Sequence, residues 1–178
     1  MRRQRKGLGK GIEGFTLIEI VMVCVLIGII AAVIIPPLHQ GVQSYAVSET
    51  RGDLTSQARQ AATRMIRELR NVQKKANNTP NITAANATSI TFVDVLDSTI
   101  TFSLSGSTVQ RNSNPLVEQV SSLQFRYFNG TNAELTTLPL SATDRDNVRR
   151  IMVTLTLAEA GQTVSVTEQA FLRELTGL

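Results

Sequence analysis

The 178-residue chain has one cysteine, one histidine, no tryptophan and only eight aromatic residues. A lone Cys24 can form neither an intrachain disulfide nor a thiolate metal cluster. With His39 as the sole imidazole, most zinc sites and histidine-based relays are excluded. Few aromatics leave few stacking platforms for single-stranded nucleic acid. The sequence also has no glycine-rich phosphate loop, no metal-spaced His/Cys set and no G-x-S-x-G elbow. These absences point to a non-enzymatic chain without a cofactor.

What is present is segregated. The formal net charge is +4, a balance that taken alone invites nucleic acid or anionic lipid. Residues 1–14 hold five cations (Arg2, Arg3, Arg5, Lys6, Lys10) and one anion (Glu13), and the rest of the chain carries thirteen of each sign. The basic character therefore belongs to a short leader. Behind it, Phe15 to Leu38 is apolar, with no charge from Ile20 onward. As a helix rising 1.5 Å per residue it would reach roughly 36 Å, enough for a hydrocarbon core about 30 Å thick. The cationic flank predicts a cytoplasmic leader and an exported remainder. An ordinary cleaved signal fits poorly, because Val33, Ile34 and Ile35 continue the apolar run past Ala31 and Ala32. An uncleaved anchor is a second option.

Neither option explains Glu19. An ionised carboxylate in a spanning helix costs about 2.5–3.5 kcal/mol on insertion scales, less near the interface. It either reaches the headgroups from near the helix end or has a partner. The run Gly14-Phe15-Thr16-Leu17-Ile18-Glu19, between a basic leader and an uncharged segment, resembles the type III signal of type IV pilins and the pseudopilins of type II secretion. The resemblance implies cleavage between Gly14 and Phe15 by prepilin peptidase and N-methylation of Phe15. It also implies an assembly role for Glu19, which in the family is thought to pair with the amine of a neighbouring subunit. Such pairing would offset the cost of two charges in apolar surroundings and set subunit register. Many major type IVa pilins close a C-terminal loop with a disulfide, which Cys24 alone cannot do. The chain is thus closer to a minor pilin or pseudopilin, or to a lineage without disulfides.

Pro36 and Pro37 each remove a helix donor, so they are expected either to kink or melt the helix around Val33 to Pro37 or to end the span. Beyond them Leu54, Ala58, Ala61, Met65, Leu69 and Val72 make one apolar stripe at helical spacing. Arg59, Arg64, Arg67, Arg70, Lys74 and Lys75 give the same segment a basic surface. That surface is a solvated face, a contact between stacked subunits, or a contact to DNA phosphates. Ala76 to Asn81 stops the helix.

Period-two alternation follows at Ile90–Phe92, Ile100–Leu104, Leu123–Tyr127, Ile151–Leu157 and Val164–Val166, with turn signals at Asp97-Ser98, Asn129-Gly130 and Ala160-Gly161. About five short strands on one helix stripe predict an α+β fold with an antiparallel sheet, which agrees with the pilin architecture of a long N-terminal helix packed on a C-terminal sheet. The expected organisation is a leader over 1–14, a membrane or filament-core helix over 15–38, its amphipathic continuation over 39–76 and a β-rich globular domain over 77–178. Asp144 and Asp146 form a weak calcium candidate, outweighed by a polar loop, and no metal is expected.

The resemblance implies a filament subunit lodged first in the bacterial inner membrane with its C-terminal domain in the periplasm. Its partners would be other pilin or pseudopilin subunits, prepilin peptidase, the inner-membrane assembly platform and membrane lipid. Nucleic acid is a partner in the alternative of a DNA-binding minor pilin. A membrane-anchored periplasmic domain with no filament role is the other alternative.

Overall fold

Thr16 starts the first helix. Its hydroxyl accepts the Glu19 amide at 3.3 Å, and its carbonyl accepts the Glu19 and Ile20 amides at 3.1 and 3.2 Å. It thus serves donors that a helix N-terminus otherwise leaves unpaired. The computed structural model describes residues 14–172, with helix α1 at Leu17–Leu69. The chain divides into two units between Tyr45 and Ala46.

In the first unit the stretch Leu17–Leu38 is apolar apart from Glu19, and none of it is buried. The helix runs through Pro36 and Pro37, so the expected melting around Val33 to Pro37 does not occur. Proline fixes φ near the helical value, and its cost is a missing donor and crowding of the preceding turn. The helix is nonetheless continuous across both prolines.

The second unit is α+β. Strands β1 (Ile82–Ala85), β2 (Ser89–Val93), β3 (Thr99–Ser105), β4 (Thr108–Arg111) and β5 (Asn114–Val117) form one antiparallel sheet in chain order. Strands β6 (Val120–Phe128), β7 (Arg150–Glu159) and β8 (Gln162–Phe171) form a second. A short helix, α2 (Ala142–Asn147), precedes β7. The expectation of about five strands in one sheet is therefore corrected to eight strands in two sheets among the described residues. The β7–β8 turn places Ala160 and Gly161 at φ 48° and 77°, the left-handed pair that a two-residue hairpin requires.

One core joins the helix to both sheets. Leu54, Ala58, Met65 and Leu69 of α1 are fully buried with Phe92, Phe102, Phe125 and Leu155. Residues of one parity on β7, from Ile151 to Leu157, turn inward while their neighbours stay half-exposed, as a sheet with one packed face requires. The Phe92 and Phe102 rings lie 6.3 Å apart in this core. Tyr127 is buried too, and its hydroxyl donates to the Asn86 carbonyl at 2.8 Å, tying β6 to the β1–β2 turn. Burial pushes its phenol far above the ordinary tyrosine value.

Helix α1 ends at Leu69, short of the expected residue 76. From Asn71 the backbone switches partners: the Gln73 amide donates to the Val93 carbonyl at 2.8 Å, and the Val95 amide to the Asn71 carbonyl at 3.0 Å. Val72 is buried by pairing with Asp94 rather than by continuing the helix.

Candidate functional site

Two surfaces carry the residues that the sequence singles out, one in each unit. On the first, Gly14 and Phe15 precede the helix, and Phe15 is 76% exposed. Glu19 is exposed in the first turn, and no cation among the described residues pairs with it. Residues 1–13, which hold the basic leader, lie outside the described residues. Leu17, Ile18, Met22, Leu26, Ile29 and Val33 all stand open, and Cys24 is exposed among them. A 22-residue helix of this kind spans roughly 33 Å and is long and apolar enough to cross a membrane. An exposed apolar surface of this extent, with no polar stripe, is of the kind that marks contact with lipid or protein. The one carboxylate lies at its N-terminal end, where a helix favours negative charge.

The second surface is the cationic set. Arg59, Arg64 and Arg67 are exposed and share a shallow concavity with Glu68. Glu68 moderates the charge there: it accepts from Arg64 at 3.3 Å within the helix and takes both carboxylate oxygens to Arg111 Nε, at 2.7 and 2.9 Å, across to β4. Arg67 and Arg70 border a second hollow with Glu168. Arg70 caps the end of α1, its amide donating to the Ile66 carbonyl at 3.0 Å, whereas Lys74 and Lys75 lie beyond the helix, so the basic surface expected over this segment is not one helical stripe. Lys75 is diverted further, donating to Asp146 at 2.6 Å. The six cations are thus split between an exposed helix face and a bridged loop.

The same bridge bears on the calcium candidate. Asp146 receives Lys75 and the Thr79 hydroxyl, and the Lys75 hydrogen bond holds its carboxyl below the usual aspartate range. Asp144 accepts the Ser141 hydroxyl at 2.7 Å, while its amide donates back at 3.1 Å. Both aspartates lie in α2, capped by Ser141, where a polar loop is expected from the sequence. Among the described residues no three or more His, Cys, Asp or Glu side chains come together as a metal site.

A pair of arginines that the sequence does not single out also lines a concavity. Arg149 and Arg150, at the start of β7, line a hollow with Asn129, Asn132, Gln169 and Phe171. Arg150 lies 3.9 Å from the centre of the Phe128 ring, and Arg126 approaches that ring at 5.5 Å. The adjacent arginines are the local signal that could have drawn notice. No protein-family model and no curated protein matches the chain.

Proposed function

We propose that the chain is a structural subunit, a minor pilin or pseudopilin, of a type IV pilus or a type II secretion-like filament. The observation that carries this reading is the wholly exposed apolar helix with Glu19 in its first turn, directly behind Gly14-Phe15-Thr16-Leu17-Ile18. An anchor alone gains nothing from that carboxylate. A subunit that packs its helix against identical helices gains a register mark, provided a cation arrives to meet it.

Cleavage after Gly14 supplies such a cation. In the intact chain Phe15 carries a peptide nitrogen. In the processed chain it carries an amine that remains positive when methylated, one turn from the carboxylate of its own or a neighbouring subunit. The chain first resides in the inner membrane with residues 46–178 in the periplasm. The assembly platform then extracts it into a fibre whose core is the N-terminal helix. An antiparallel α+β unit with a helix stripe in its core supports the pilin-like architecture.

Intact mass spectrometry of the chain purified from its native membrane tests this reading. The expected product begins at N-methylated Phe15. A chain retaining Met1, or one starting near Val33, would overturn the reading and leave an anchored periplasmic domain or a secreted one. In a strain that assembles the filament, Glu19→Ala should be cleaved normally and incorporated poorly. Normal incorporation would remove the alignment role.

A further inference from the structure

We propose that the hollow at the β7 entrance is a binding site for an oxyanion, a phosphate or carboxylate group, read by Arg149 and Arg150. This site is independent of the filament reading and lies wholly within the second unit.

Several cations of this unit meet carboxylates. Arg64 and Arg111 meet Glu68, Lys75 meets Asp146, and Arg126 meets Glu134. Arg149 and Arg150 are also partly sheltered, yet among the described residues neither has a carboxylate partner. Their contacts are neutral. One terminal nitrogen of Arg149 donates to the carbonyls of Asp146 and Val148 at 2.8 and 2.9 Å. Arg150 donates to Gln169 Oε1 at 3.0 Å and to Asn132 Oδ1, with the Phe128 ring beneath it.

Neutral acceptors and an aromatic floor fix the guanidinium planes without cancelling their charge. Each fork has five donors, so several remain for a ligand. Among the described residues no acidic side chain lines the hollow, whose volume is about 760 Å³. Asn132 is held nearby in a loop whose turn is fixed by Asn129, its Oδ1 accepting the Thr131 and Ala133 amides at 3.0 and 2.9 Å. Arg149 and Arg150 both line this concavity, and guanidinium forks suit an anion that can accept paired, charge-assisted hydrogen bonds. Phe171, 60% exposed at the rim, offers apolar surface to whatever carries the anion.

The test uses the detergent-solubilised full chain, labelled with nitrogen-15 and titrated separately with inorganic phosphate and with glucuronate at constant ionic strength. Saturable amide shifts are expected at Asn129, Gly130, Asn132 and Gln169. Saturation by one probe alone supports the site and fixes its class; saturation by both supports a general oxyanion reader. Arg149→Gln and Arg150→Gln should each weaken binding about tenfold, and Arg59→Gln should leave it unchanged. Because Arg150→Gln also removes a packing contact, Gln169→Glu is the second probe: it keeps both arginines but supplies an internal carboxylate, and it should abolish binding. Absence of saturable shifts, equal loss in Arg59→Gln, or wild-type binding by Gln169→Glu would overturn the proposal.

Discussion

Residues 17–38 and residues 54–69 belong to the same helix by backbone criteria, yet they solve opposite problems. The first stretch, Glu19 apart, is apolar around its whole circumference and buries nothing within its own chain. The second confines its apolar side chains to a stripe, and Leu54, Ala58, Met65 and Leu69 reach full burial. Backbone hydrogen bonding is common to both, so the difference lies in how side chains are distributed around the axis. A striped helix is completed by its own fold. A uniformly apolar one is completed only by an environment, which makes that environment part of its structure.

Truncating one side chain in each region should give very different losses of stability. Phe125→Ala, in the closed core, should lower unfolding stability by about 3–5 kcal/mol. Ile27→Ala, at 60% exposure, should leave the urea midpoint of the globular unit unchanged in detergent. A comparable loss from Ile27→Ala would mean that the two regions are energetically one. Next in size is Glu68→Ala, which strips Arg64 and Arg111 of their shared partner and should cost about 1.5–3 kcal/mol in the same assay.

Thr16→Ala acts on the other region. Loss of the cap should cost about 1 kcal/mol of local helix stability. Faster amide exchange at Glu19 and Ile20 would register it, with no change in the globular unit. The smallest expected effect is that of pH on the Lys75–Asp146 bridge. Asp146 has a depressed folded-state pKa, so its contribution is full above the unfolded aspartate value near 4 and is lost as pH falls through the lower folded value. Both side chains are about a third exposed, and solvent screening limits the bridge to under about 1 kcal/mol. Urea midpoints of wild type and Lys75→Met at pH 7 and pH 2.5 should converge at the acid end.

The strands that face the core were legible because their alternation records a packed face, as along Ile151, Val153, Leu155 and Leu157. Strand β4 was not, since Val109 is its only buried side chain. Strand β5 contains Pro115, tolerable because β5 is the edge of its sheet, and helix α2 buries nothing. The division into two sheets has no local signature either, because alternation tells which side of a strand is wet and not which strand lies beside it. Val72 illustrates a subtler limit. It extends the helical spacing and is buried, but its burial comes from pairing with Asp94 after the helix has ended. Apolar spacing reports that a residue goes inside; it does not report by which backbone route. The basic set behaves likewise: exposure of Arg59, Arg64 and Arg67 follows from the helix period, whereas the Lys75 partner lies 71 residues away.

The buried Tyr127 gives the molecule an optical property of its own. With two tyrosines and no tryptophan in the chain, the ultraviolet signal comes almost entirely from one ring in solvent and one sealed inside. Tyr45 is 73% exposed, while Tyr127 is fully enclosed with its hydroxyl engaged at the junction between the two sheets. A tyrosinate band from the second ring therefore announces that the sheets have parted. The protein carries an intrinsic chromophore placed at its own seam.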